Sequence, residues 1–132
     1  MDVIPQGFLD ILTQKKAFAH IATLQPDGSP QVTPVWFDYT NGVIRVNTAK
    51  GRIKARNLSV GAKVALSILD PDNPYRYIQI RGSVSKESTD GAVAHIDSLA
   101  KKYLNQDVYP WHNEKDVRVI YEITPAAAHT MG

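Results

Sequence analysis

The sequence contains no cysteine among its 132 residues. That single absence excludes disulfides, thiolate metal sites and a cysteine nucleophile. It also lacks a strong charge of either sign. The formal net charge is +2, with acids and bases interspersed, far short of the basic excess that marks a dedicated nucleic-acid binder. No stretch approaches the roughly 18 consecutive apolar residues of a membrane span. The opening MDVIPQGFLDIL has neither a basic region leading into an apolar one nor a small-residue cleavage site. These absences together lead to the expectation of a soluble cytoplasmic protein with no nucleic-acid or membrane partner. The four histidines, His20, His95, His112 and His129, have no HExxH spacing, and no run of carboxylates reads as an EF-hand loop, so no metal site is expected. There is no GxSxG elbow, P-loop or GxGxxG fingerprint. No nucleophile–base pair presents itself and no catalytic residue is nominated. Hard chemistry, if there is any, belongs to a cofactor.

What is present reads as one mainly β domain over residues 1–132, a size that buries about two-thirds of the unfolded surface. Residues 5–14 place Phe8, Leu9, Ile11 and Leu12 on one side of a short helix, with Pro5 in its first turn. Strands are expected over 17–24, 31–39, 43–48, 63–70, 75–87 and 117–123, with Asp27-Gly28 and Asn41-Gly42 as hairpin turns. Pro34 cannot donate to a ladder and marks an edge, a bulge or a ligand-facing break. Gly82 is expected to bend the long fifth strand. From Asp90, read as an N-cap, to about Asn105, Val93, Ile96, Leu99 or Ala100, and Tyr103 recur at helical spacing. In the last strand Val117, Val119, Tyr121 and Ile123 alternate with Arg118, Ile120 and Glu122. Six strands joined mainly by hairpins, with two or three helices, predict an antiparallel barrel with the helices outside it. Strands such as QVTPVWFDY are apolar on both faces, so one face needs cover from a helix or a second copy of the chain. His20, within an apolar strand, reads as a satisfied structural histidine. His112, beside Trp111, either lines a pocket or sits on a surface loop.

The anomaly in this nearly neutral chain is AKGRIKARNL at 49–58, where Lys50, Arg52, Lys54 and Arg56 fall within seven residues. If the chain turns at Lys50-Gly51 and a helix begins near Arg52, cations and backbone N–H groups converge on a site suited to phosphate. A solvated cationic loop is the alternative, and spacing alone does not choose between them.

Four stretches, AHIATLQPDGSPQVTPVWFDY, IRVNTAKGRIKARNL, VALSILDPDNPYRYIQIRGSV and VRVIYEITP, span most of the chain. In that order they resemble the pyridoxamine 5'-phosphate oxidase-like flavin-binding split barrels, specifically the small deazaflavin-dependent oxidoreductase branch. DPDNPYRYIQIRG most resembles the members that use coenzyme F420. The resemblance implies a six-stranded split β-barrel with peripheral helices and a homodimer with cofactor sites at the subunit interface. It implies that Lys54 and Arg52 hold the cofactor phosphate. Arg56 would support them or reach an acidic cofactor tail, with Lys50 ranked behind. Asn47, Thr48 and Ala49 would edge the ring, and Gln31, Thr33, Pro34, Val35 and Trp36 would line its pocket. Tyr75, Tyr77 and Arg81 would come from the partner subunit, although ordinary packing is the competing role for the tyrosines and Trp36. The implied activity is hydride transfer from reduced coenzyme F420 to an unsaturated organic substrate. A flavin mononucleotide-dependent reductase or oxidase is the first alternative. A non-catalytic carrier of flavin, deazaflavin or tetrapyrrole is the second. The chain lacks the longer C-terminal segment that the true oxidases use for vitamin B6, which counts against that substrate.

Overall fold

The computed structural model describes residues 3–132; Met1 and Asp2, which begin the stretch read for a targeting leader, lie outside the described residues. Strands β1 (Ala19–Leu24), β2 (Pro30–Val35), β3 (Asp38–Thr40), β4 (Val43–Ala49), β5 (Lys63–Asp70), β6 (Asn73–Ser88) and β7 (Arg118–Met131) carry the fold. Helices α1 (Leu9–Thr13), α2 (Ile53–Asn57) and α3 (Ala92–Leu104) accompany them, with a 3-10 turn over Gln6–Phe8 leading into α1. Every ladder is antiparallel, and the sheet order is β2-β1-β5-β6-β7-β4-β3.

The two edge strands are consecutive in the chain and are joined by Trp36 and Phe37 alone. Three Cα-to-Cα steps span at most about 11 Å, so the sheet has to roll until its edges nearly meet. Among the described residues no ladder joins β2 to β3, and the barrel is split at that seam. The structure thus has seven strands where six were expected. The expected strand over 31–39 breaks at Trp36-Phe37 to cross the seam, and its last residues become β3. Pro34 lies on the edge strand β2 opposite His20, where its missing N–H costs little.

Local chemistry explains most elements. Asn41 and Gly42 both take left-handed φ, +50° and +80°, the combination a two-residue hairpin between right-twisted strands requires. Inward positions alternate along the strands. Val64, Leu66 and Ile68 of β5, Ile78 and Ile80 of β6, and Ile44 and Val46 of β4 fill the barrel with Phe37, Ile21 and Ile123. Each such side chain contributes about 1.5–3 kcal/mol through burial. Ile11 and Leu12 of α1, fully buried, join the same core. Gly82 sits at a register shift, and a Cβ there would run into the carbonyl oxygen of Thr124, with Pro125 Cα at 3.2 Å. An ionic clamp fixes α1 to the β5–β6 turn. Asp70, with its side chain buried, takes Lys15 at 2.8 Å and Arg76 at 2.9 Å, and Arg76 also reaches Asp10 at 2.7 Å.

Three expectations are corrected. The α3 N-cap is Gly91, at φ +73° and without a side-chain cap, not Asp90. Its buried face is Ala92, His95, Ile96, Leu99 and Ala100, with Val93 exposed, because a polar residue, His95, occupies a place the apolar spacing skipped. Finally β7 runs on to Met131, pairing with β6 through TPAAAHTM, a stretch too weakly alternating to read as strand.

Candidate functional site

β4 ends at Ala49, Gly51 turns the chain at φ +92°, and Arg52 precedes α2 with extended backbone. α2 has only five residues. A helix this short develops little macrodipole, so side-chain charge, not the helix end, gives this corner its potential. The turn separates the four cations. Arg52 and Lys54 border a cavity of about 200 Å³, whereas Lys50 and Arg56 are exposed and do not line it.

The cavity lies at the seam. Pro34, Val35 and Trp36 come from the end of β2, Asn47 and Thr48 from the end of β4, Ile96 from α3, and Phe18 from the approach to β1. Tyr109 and Trp111 of the loop following α3, and Arg118 at the start of β7, complete it. Three cations thus face one space. Arg52 has a single carboxylate nearby, Asp116 at 3.7 Å, and is about half exposed. Among the described residues no carboxylate lies within ion-pair distance of Lys54 or Arg118. Burial, then the charges of Arg52 and Arg118, push the Lys54 ammonium below its ordinary pKa. Burial likewise lowers Arg118; Arg52 adds to the effect, while Tyr109 and Asp116 oppose it. Uncompensated positive charge in a partly dry cavity is unfavourable unless an anion enters.

Two buried polar atoms point the same way. Thr48 Oγ1 and Arg118 Nη1 have no hydrogen-bond partner, and both residues line this cavity. Native proteins rarely leave such atoms unpaired, and an exception needs a reason. Arg118 is otherwise well held. Its Nε donates to Asn47 Oδ1 at 2.9 Å, and its guanidinium lies 5.4 Å from the Tyr109 ring centre. The remaining wall is aromatic. Trp36 stacks on Tyr103, Tyr109 meets both Trp36 and Trp111 edge-on, and the two tryptophans are tilted to one another. Asp97 pins the loop, accepting from the Tyr109 backbone N–H at 2.8 Å and pairing with His112 Nε2 at 2.8 Å. Burial acts to raise the Asp97 carboxyl, but those bonds outweigh it and hold the pKa below its ordinary value.

Of the residues singled out in the sequence, Pro34, Val35, Trp36, Asn47, Thr48, Arg52 and Lys54 meet at the cavity. Ala49 is buried beside it, and Gln31 and Thr33 lie further along β2, opposite Thr23 and Ile21. Tyr75 is 81 % exposed, Tyr77 is half-buried, and Arg81 borders two other cavities, of about 560 and 370 Å³. None of these three reaches the seam cavity of its own chain. His20 is exposed, not a buried structural histidine, because its side of β1 faces outward. Phe18, Ile96, Tyr109, Trp111 and Arg118 were not singled out. Arg118 was legible only as the polar half of an alternating strand, yet it is 8 % exposed.

The family model described as pyridoxamine 5'-phosphate oxidase matches residues 7–132. The chain belongs to the pyridoxamine 5'-phosphate oxidase-like family. A solved structure named F420 reductase is similar over 96 % of this chain and 98 % of its own, at 34 % identity and a TM-score of 0.82. A FAD- and heme-binding protein from Mycobacterium smegmatis covers 98 % of this chain and 71 % of its own, at 15 % identity and a TM-score of 0.70. A conserved hypothetical protein from Mycobacterium tuberculosis, at 19 % identity and a TM-score of 0.70, covers 98 % and 86 %. The last two likenesses are of fold. No curated protein matches the sequence. The family binds flavin, and membership in it supports an oxidoreductase or flavin-binding role. No helix among the described residues is long and apolar enough to cross a membrane.

Proposed function

We propose that this protein, as a single domain over residues 1–132, is an oxidoreductase that binds coenzyme F420 with its phosphate on Lys54 and Arg52. The observation that carries this reading is the convergence of Arg52, Lys54 and Arg118 on one cavity, two of whose lining residues, Thr48 and Arg118, each have an unpartnered buried polar atom. A phosphate satisfies both the charge and the missing acceptors. The 34 % identity to an F420 reductase favours deazaflavin over other phosphate-bearing ligands. When bound and reduced, that coenzyme supplies a hydride for an unsaturated organic substrate.

The protein's own part is binding, orientation and exclusion of water. Asn47 and Thr48 edge the ring, with Ala49 behind them. Pro34, Val35 and Trp36 line the pocket, while Gln31 and Thr33 extend its wall along β2. Arg56 and Lys50, outside the cavity, are left to reach an acidic tail.

A homodimer belongs to the same reading. The apolar cavity bordered by Leu24, Pro30, Ala65 and Ala127 offers a face for a second copy. Tyr75, Tyr77 and Arg81 are then placed to act across the interface. Size-exclusion chromatography with light scattering giving only monomer mass would refute the dimer.

A flavin mononucleotide-dependent enzyme is the second reading, since the same cations suit either phosphate. Titrating the purified apoprotein with both coenzymes decides. Tight F420 binding with weak flavin binding supports the first reading, and the reverse supports the second. Binding without reduction of any substrate in a panel assigns a carrier role instead.

A further inference from the structure

Asn47 joins two systems. On one side its Oδ1 accepts from Arg118 Nε at 2.9 Å. On the other its Nδ2 donates to the Ala92 carbonyl at 2.8 Å and lies 3.1 Å from His95 Nδ1. An amide nitrogen can only donate, so His95 Nδ1 has to accept, and the imidazole hydrogen sits on Nε2. From there it is donated to Asp38 Oδ2 at 3.0 Å. Asp38 is also held by Arg45, through Nε at 2.8 Å and Nη2 at 2.7 Å. The donor-to-acceptor sense runs without a break from Arg118 through Asn47 and His95 to Asp38. At its far end Arg118 lines the cavity and carries a buried Nη1 without a hydrogen-bond partner.

We propose that Arg118 is a third anion ligand beside Arg52 and Lys54, and that Asn47, His95 and Asp38 position it so that protonation of His95 weakens anion binding. The inference rests on the reading of this cavity as an anion site, but not on which coenzyme fills it. A second proton on His95 sets Nδ1–H against Asn47 Nδ2, donor facing donor. Turning the amide relieves that clash and sets Nδ2 against Arg118 Nε, another donor pair. In the turned amide the guanidinium loses the bond that aims it. Beside Arg52 and Lys54, it then has electrostatic reason to swing away.

Simple electrostatics gives the opposite sign, which makes the inference testable. A new positive charge near the cavity should tighten anion binding if orientation is unimportant. The charged groups around His95 set the background for that effect. Asp38 of β3 touches it, Arg45 of β4 sits behind Asp38, Arg118 of β7 lies beyond Asn47, and Lys102 on the same helix acts on Asp38. Asp97, also on α3, is turned towards Tyr109 and His112. Asp38 is already paired with Arg45, so the added charge itself remains, and weaker binding on acidification reports the lost orientation of Arg118.

Sulfate is a suitable probe because its own charge is constant between about pH 5 and 8, the range in which histidine titrates. Its affinity for the full chain is measured by calorimetry at both ends of that range. The wild type should bind roughly tenfold more weakly at the acid end, the equivalent of one charge-assisted hydrogen bond. Arg118→Lys keeps the charge but loses the Nε contact; it should bind roughly tenfold more weakly at both ends, with the pH dependence gone. His95→Gln can accept from Asn47 and donate to Asp38, and should keep the neutral-pH affinity throughout. Wild-type affinity that is flat or rises on acidification overturns the proposal, whether or not His95→Gln folds. So does Arg118→Lys binding like the wild type. A wild type that shows this sulfate profile yet binds neither coenzyme upholds the positioning of Arg118 and removes the cofactor assignment.

Discussion

Trp36 lies flat on Tyr103, with ring centres 5.2 Å apart and planes within 5° of parallel. The pair holds the seam. Tyr103 Oη donates to the Ala17 carbonyl at 2.5 Å and lies 3.3 Å from both the Phe37 backbone N–H and its carbonyl. One side chain of α3 therefore fixes the Trp36-Phe37 crossover on which closure of the barrel depends, and with it the wall of the candidate site.

Removing that hydroxyl should loosen the crossover. Tyr103→Phe keeps the ring and strands backbone groups, and a loss of about 1–3 kcal/mol is expected in urea unfolding. Burial pushes the Tyr103 phenol up to about 12. A raised folded-state pKa gives a contribution that is complete below the unfolded value of ~10 and lost as pH rises through about 12. The wild type should therefore destabilise more steeply than Tyr103→Phe on alkaline titration; parallel curves would contradict the role given to the hydroxyl.

Lys54 and Arg56 differ by two positions and should differ sharply in effect. Lys54→Ala is expected to weaken coenzyme binding by about 1.5–3 kcal/mol, read by fluorescence titration. Arg56→Ala, at an exposed position outside the cavity, should cost no more than about 1 kcal/mol, the worth of a solvent-exposed contact with an acidic tail. Equal losses would show that the whole run acts as one cloud of charge.

Lys54 should also be a site where function opposes stability. It is partly buried among cations and has no carboxylate in reach among the described residues. Lys54→Met preserves the stem and removes the repulsion, so the apoprotein should gain about 0.5–2 kcal/mol in chemical unfolding while coenzyme affinity falls. A destabilised variant would mean that Lys54 has a structural partner.

Gly82 tests the close approach of β6 and β7. A methyl group there meets Thr124 and Pro125 backbone, which has no flexible side chain to yield, and Gly82→Ala should cost about 1–3 kcal/mol. Unchanged stability would mean the register shift relaxes freely.

At the opposite pH extreme the clamp on α1 should fail first. The Lys15 hydrogen bond, with Arg76 assisting, holds the Asp70 carboxyl well below the carboxylate range against the opposing effect of burial. A depressed folded value gives stability that is present above the unfolded pKa of ~3.9 and lost as pH falls through the folded one. Acid unfolding followed by circular dichroism should show a shallower decline for Asp70→Asn, which should already have a lower urea midpoint at neutral pH.

The amino-acid sequence by itself determined most of the strands, though not the second half of β7, and with them the hairpin turns, the bend at Gly82 and the abrupt basic run. Each follows from chemistry within a few residues: alternation, φ preference, steric room, charge density. It also brought Arg52 and Lys54 to notice, since four cations in seven residues stand out locally. What only the tertiary structure decided is which of those cations share a cavity, and with what. The break of one apolar run into β2 and β3 depends on closure of the sheet, a constraint set by strands far apart in the chain. His95 counts as polar in any helical pattern and is buried because Asn47 and Asp38 arrive from β4 and β3 to satisfy it. Arg118 lies 64 residues after Lys54 and looks like the outward half of an ordinary strand until folding turns its guanidinium inward. Long-range juxtaposition of this kind leaves no local signature, because the energy that favours it comes from partners rather than neighbours.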